Sequence, residues 1–503
     1  MCRAAGSWAG FWALAEWQLA SLGDFIHNSQ LEEIDIAELS ARCLGAAGLR
    51  QHVSRGILLL FAFFYILHYF WPAEGLTWLS AALLLAILAE GIRPLPRVNK
   101  LVVGGLFGAG IILLALKGAT LSQWAAALMK NANLVTLFIC TPMMSLPFFY
   151  EDYQSELKVV AQVKMRSLVS FCVLVSLSTH VLGVLISIGA VTIIYELLNP
   201  HARLYGAEEE FLTTVVRSYC SSGFWSPAWA SMIVISSLPG VSWVALIPMG
   251  IALSLIYAGL DLAGVALKVK RHPERYPRLK PEKGSRVHWP KIWTMLALAL
   301  LLILSIILIS LLSGWDLMII ISLAALAFPL VSALLQRHLP EYKTGMRDYY
   351  DRSLTKINGQ VTLFAAAGFL GKALQISGAG DRVAELLPPW LIGYPALLCY
   401  AIMLMMILPS LAGVHPVVTG SALAAALTPA ALGMNAMTFA LTMLTGWLLA
   451  ILLSPFSATS LLAGAYSGKP SWDISLKLNG AFGLFCIVFF SVLISVIGPL
   501  LAG

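Results

Sequence analysis

Apolar residues in this chain fall in long runs separated by short polar segments. The runs are close to the ~20 residues that a helix needs to cross a ~30 Å hydrocarbon layer. The pattern predicts membrane-spanning helices over residues 56–72, 77–92, 101–117 and 133–149. An apolar stretch over 167–198, interrupted by polar residues and glycine, comes next. A broken span at 213–240 and a continuous one at 242–267 follow it. After a polar gap, spans are expected at 291–313, 315–335 and 357–376, then a second interrupted stretch at 390–428. A second broken span at 436–467 and a last span at 477–501 complete the chain. The fold class is therefore an all-α polytopic membrane protein.

Composition agrees. Of 503 residues, 59% are hydrophobic and 11% charged, and the mean hydropathy is +0.84. Soluble domains carry about 45–50% apolar and about 25% charged residues. A secreted globular enzyme, a nucleic-acid binder and a disordered regulator are excluded. The net charge is +7, and its position says more than its size. The densest basic stretch, Lys268–Lys291, lies between two apolar blocks and reads as a cytoplasmic loop, since cytoplasmic loops carry the excess of Lys and Arg. With 167–198 and 390–428 taken as re-entrant hairpins, the loops 93–100, 151–166, 199–212, 268–290, 336–356 and 468–476 all fall inside and hold nearly all the loop Lys and Arg. Lys130 and Arg382 stay outside. Seven scattered cysteines without a CxxC pair read as small core hydrophobes. Residues 1–55 lack a signal-peptide pattern. They are expected inside, with Trp8, Phe11, Trp12, Leu14, Trp17, Leu19, Leu22 and Phe25 forming an amphipathic helix at the membrane interface or on the protein's inner face.

Segments recur along the chain. Lys130-x4-Val135-Thr136-Leu137-Phe138 returns as Lys356-x4-Val361-Thr362-Leu363-Phe364. Ser176-Leu177-Ser178-Thr179-His180 is echoed by Ser410-Leu411 with His415, at a slightly longer offset. Ser226-Pro227 through Ser231 is answered by Ser454-Pro455 through Ser460. The order and the loop charges predict two inverted-topology repeats, with about 11 transmembrane helices and two re-entrant hairpins in all. A leading helix at 56–72 would precede repeat 1 at 77–267, a basic linker at 268–290 and repeat 2 at 291–501. Inverted repeats with broken helices characterise secondary transporters, whose sites lie at the repeat interface.

Irregular backbone at membrane depth is tolerated only where it is buried in protein or lines a wet cavity. Pro227 and Pro455 delete a donor and open their helices, and freed carbonyls and hydroxyls there suit a coupling cation. Ser226, Ser231, Ser454, Ser457, Thr459 and Ser460 are the candidates. His180 and His415 each fall at an expected hairpin tip, where an imidazole could bind a carboxylate or carry a proton.

This arrangement resembles the ion transporter superfamily, most closely its divalent anion/sodium symporter (dicarboxylate transporter) family, over residues 56–501. The resemblance implies homodimers, elevator-type motion of the hairpins and broken helices, and substrate contacts at the hairpin tips. On this sequence those contacts are Ser178, Thr179 and His180 at the first tip and His415, Thr419 and Ser421 around the second. The Asn of the family's tip motif is absent from both, which keeps H+ beside Na+ as coupling ion. The expected function is secondary active transport of a small, organic anion across the cytoplasmic (inner) membrane, with no cofactor, no metal beyond Na+ and no nucleic-acid partner. A cation/proton exchanger or an inorganic-anion or metalloid exporter of the same superfamily remains open, as does a non-transporting scaffold or assembly factor. No enzymatic activity is expected: HExxH, GxSxG and Walker A are absent, and Gly378-Ala379-Gly380-Asp381 lies in a loop, across the membrane from Tyr350-Asp351.

Overall fold

The computed structural model describes residues 36–501 apart from 96, 151–152, 228, 237, 239, 281–285 and 379–387. The expected amphipathic helix between Trp8 and Phe25, Arg382 and most of the Gly378–Asp381 motif lie outside the described residues. Among those described there is no strand. In chain order the helices are α1 (Ile36–Phe70), α2 (Glu74–Gly91), α3 (Arg97–Leu116), α4 (Leu121–Leu128), α5 (Ala132–Cys140), α6 (Tyr153–Lys164) and α7 (Leu168–Ile186). Then come α8 (Gly189–Leu204), α9 (Glu208–Ser222), α10 (Ala230–Ser236), α11 (Trp243–Arg271), α12 (Trp289–Ser313), α13 (Leu317–Gln336) and α14 (Leu339–Asp348). The last seven are α15 (Leu354–Ser377), α16 (Pro389–Ile392), α17 (Pro395–Leu411), α18 (Pro416–Ala426), α19 (Ala436–Leu453), α20 (Ala458–Ser467) and α21 (Gly480–Ile497).

Ten helices among the described residues are long and apolar enough to cross a membrane, and the chain is an all-α polytopic membrane protein. The ten differ in detail from the expected spans. They include α7, expected as one limb of a hairpin, and leave out α15, whose apolar run is diluted by Gln360, Lys372 and Gln375. Burial follows the same logic. Leu300, Leu301, Leu304, Leu308, Leu311 and Leu312 of α12 stay exposed, an apolar face of the kind that suits lipid, whereas α19 is buried along nearly its whole length.

Local chemistry sets the ends. Ser167 and Ser170 form a reciprocal cap at the start of α7, Thr120 and Gln123 do the same for α4, and Asp316 caps α13. Pro142 and Pro147 tighten the chain after α5 into a 3-10 segment, Thr141–Phe149.

Helices α7 and α8 form a helical hairpin, and so do α17 and α18. Two further pieces, α9–α10 and α19–α20, are single helical courses interrupted at 223–229 and 454–457. Their geometry recurs at a nearly constant offset along the chain. Glu208 and Ala436 begin the courses, and Ala230 and Ala458 restart them. Ser187 and Gly413 are the positive-φ residues of the two hairpin turns. Gly240 and Gly468 both take positive φ just beyond the courses. Packing recurs too: α3 lies along α15, while α13 lies along α5 and the 3-10 segment after it. Phe138 and Phe364, equivalent positions in the recurring segments, meet face to tilted face at 4.5 Å. One turn after Ala132 and Asn358, Thr136 and Thr362 donate back to those carbonyls at 3.1 and 2.8 Å.

One expectation is overturned. Ser178, Thr179 and His180 do not sit at a hairpin tip: they lie inside α7, and the turn comes at Ser187 and Ile188. No proline or left-handed residue interrupts 178–186. Gly183 serves close packing instead, since a Cβ there would lie 2.6 Å from the Ser222 hydroxyl oxygen. The echo of Ser176-Leu177 in Ser410-Leu411 therefore pairs positions that the backbone does not. His415, by contrast, is at the turn, as expected.

Candidate functional site

Each interruption faces the turn of its neighbouring hairpin. In the first, the Ser226 hydroxyl donates to the Val184 carbonyl at 2.9 Å and the Trp229 indole to the Gly183 carbonyl at 3.1 Å. In the second, the Ser454 hydroxyl donates to the Ser410 carbonyl at 2.6 Å, and Ser410 donates to the Ala450 carbonyl at 3.2 Å. The Gly183, Val184 and Ser410 carbonyls belong to the last turn of a hairpin limb, where helical donors run out. The remaining candidate hydroxyls close locally. Ser231 donates to the Gly223 carbonyl at 3.1 Å, and Ser457 caps α20 by accepting from the Ser460 amide at 3.1 Å. Thr459 and Ser460 are buried in the first turn of α20. Gly250 lets α11 approach the first interruption, since a Cβ would lie 2.2 Å from the Phe224 carbonyl oxygen.

His180 looks from α7 into this region. The Trp225 indole donates to its Nε2 at 2.9 Å, and its Nδ1 lies 2.9 Å from the Ser221 hydroxyl. An indole N–H can only donate. Nε2 therefore holds a lone pair, the proton is on Nδ1, and the imidazole is neutral in this arrangement. Ser221 passes the chain on by donating to the Ser218 carbonyl at 2.8 Å. Thr179, fully buried beside it, has no hydrogen-bond partner for its hydroxyl among the described residues. Ser178 is buried as well.

At the second turn His415 is the N-cap of α18, its Nδ1 accepting from the Val417 amide at 3.2 Å. Pro416 at the first helical position has no N–H to satisfy. Thr419 donates back to the Pro416 carbonyl at 3.1 Å. Ser421, further along α18, keeps a buried hydroxyl with no partner among the described residues.

A buried ion pair adjoins the first interruption. Arg217 of α9 donates to Asp261 of α11 at 2.7 Å, to the Asn479 side-chain oxygen at 2.8 Å and to the Leu478 carbonyl at 3.0 Å, and its guanidinium lies 4.1 Å from the Phe482 ring centroid. Asp261 is only 1% exposed. The sequence places Asp261 near a helix end, where snorkelling would satisfy it; the fold instead buries it against Arg217. Its second oxygen and the Tyr257 hydroxyl have no partners among the described residues. Glu90, by contrast, reaches outward, to Arg93 at 3.4 Å. Beyond the spans, Lys469 donates to Glu209 at 2.8 Å, a bond that holds the ammonium pKa above its ordinary value.

A cavity of about 120 Å³ lies where α15, α18, α10 and the segment before α5 converge. Lys130, Gln375 and Ser421 line it with the apolar Leu134, Val234 and Ala367. Asn131 is fixed there by donating to the Phe364 carbonyl at 2.9 Å, against Gly368, which has no room for a Cβ.

The fold thus collects Ser421 with Lys130, and His180 with Ser221, Trp225 and Ser254. His415 and Thr419 cap and close α18. Sequence reasoning passed over Lys130 as an outer-loop charge and over Arg217 altogether. An arginine inside an expected span is a functional candidate by default, and that signal was present. No family model matches the chain, and no curated protein is significantly similar to it.

Proposed function

We propose that the protein is a secondary active transporter that moves a small organic anion across the cytoplasmic membrane, coupled to Na+ or H+. The observation that carries this reading is the pair of interrupted helices, recurring along the chain, each hydrogen-bonded through its break serine to the turn of a hairpin. We read these as two inverted copies, with residues 1–55 inside and the two hairpins re-entrant from opposite sides. Non-helical backbone at membrane depth is tolerated where it is buried in protein or lines a wet cavity, and secondary transporters build their sites from such breaks. In this reading α7–α10 and α17–α20 move as a unit against a dimeric scaffold formed by residues 77–149 and 291–376.

A cation/proton exchanger is the second reading, and the membrane-embedded Asp261 favours it. Its carboxylate is already engaged by Arg217, which weighs on the side of the anion. Solid-supported-membrane currents from proteoliposomes separate the two. Di- and tricarboxylates should evoke current with a Na+ gradient or a pH gradient, and His415→Ala and Ser454→Ala should abolish it while inserting normally. Full currents in both variants would overturn the site. Cation-driven pH changes with no anion dependence would favour the exchanger.

A further inference from the structure

We infer that the cavity between Lys130 and Ser421 is a loading site for a short-chain carboxylate, with Lys130 meeting the charge and the Ser421 hydroxyl donating to it. The inference rests on the transport reading above and specifies where its substrate first binds.

Four observations converge. The Ser421 hydroxyl is buried and unpartnered among the described residues, although its helix carbonyls are within reach of any serine that turns back. An orphaned buried hydroxyl is costly unless something meets it. Lys130 lines the same space and has no carboxylate partner among the described residues. Lys372, a second basic side chain, lies within electrostatic reach of Lys130. The size limits the ligand: ~150 Å³ is enough for a benzene-sized molecule, and this cavity has about 120 Å³. Finally, the lining is two-faced. Lys130, Gln375 and Ser421 can serve a carboxylate, while Leu134, Val234 and Ala424 suit a hydrocarbon portion that phosphate or chloride lacks.

The lining is also divided between parts. Lys130, Ala367 and Gln375 belong to the static scaffold of the transport reading, whereas Ser421, Ala424 and Val234 belong to the moving unit. A ligand gripped by both stays only while they are apposed. The cavity is therefore where the anion is received, and passage requires Lys130 to let go.

Binding tests this independently of transport. Purified wild-type protein in detergent should be stabilised in thermal unfolding by succinate and acetate, and not by acetamide or inorganic phosphate. Lys130→Gln and Ser421→Ala should each weaken the apparent affinity about tenfold, the scale for losing a hydrogen bond to a charged group. Ala424→Leu, which fills the space and leaves both polar groups, should abolish binding. In proteoliposomes Lys130→Gln should raise KM more than it lowers kcat, while Lys130→Arg retains binding. Wild-type protein indifferent to both carboxylates, or all three variants binding like wild type, would overturn the loading site. Phosphate stabilising as well as succinate would overturn the carboxylate assignment. Binding that depends on Lys130 without any transport would keep the site and sink the transport reading.

Discussion

The two hairpins share an outline and keep their imidazoles in different places. In the first, the turn is short, Ser187 takes φ +51°, and His180 lies well before it inside α7, held between Trp225 and Ser221. In the second, the turn runs over Ala412–His415, Gly413 takes φ +91°, and His415 is itself the cap of the returning helix. The difference comes from punctuation. Gly413 and Pro416 end one helix and start the next wherever they stand, whereas Leu168–Ile186 contains neither a proline nor an unpacked glycine. A histidine inside a limb, bonded to Trp225 and Ser221, is a structural hub for the helix beside it. A histidine at a turn can respond to what approaches the turn.

Four experiments would break or sharpen this contrast, measured by thermal unfolding in detergent. The largest effect should come from Asp261→Ala, which leaves Arg217 buried beside the first interruption without its charge partner, at a cost of about 3–5 kcal/mol. The paired change of Arg217→Met with Asp261→Leu should recover most of it. Next, His180→Ala strips the Trp225 indole and Ser221 of their partner and should cost about 1–3 kcal/mol. His415→Ala removes only a cap and should cost about 1 kcal/mol, with His415→Asn restoring it. If the two histidine substitutions cost the same, the contrast between hub and cap is wrong. The smallest effect is a gain: Ser187→Gly relieves a positive-φ serine but loosens the unfolded chain, and should stabilise by about 0.5 kcal/mol, while Gly413→Ala should destabilise.

Apolar run length was enough to locate most of the spans. Pro227 and Pro455 marked both interruptions, because proline acts through its own backbone and needs no neighbour. The second turn was legible for the same reason. The first turn was not, since its position depends on α7 packing against α9 at Gly183 and Ser222, which no local pattern encodes. The site divides likewise. Ser421 could be named from its place after the second turn, but Lys130, in the distant first half of the chain, joins it only through the crossing of α15 with α18 and the segment before α5. Arg217 and Asp261 were each visible as charges in apolar surroundings, and only the fold makes them a pair.

Phe138 and Phe364 carry a consequence for origin. On the inverted-repeat reading each ring is the other's counterpart, and they touch. A residue contacting its own equivalent is what the centre of an isologous dimer presents. On that reading the pair would mark an interface between two half-length ancestors later joined into one gene. Severing the chain in the basic stretch between α11 and α12 and producing the halves separately should still give a single assembly, with these two rings at its seam.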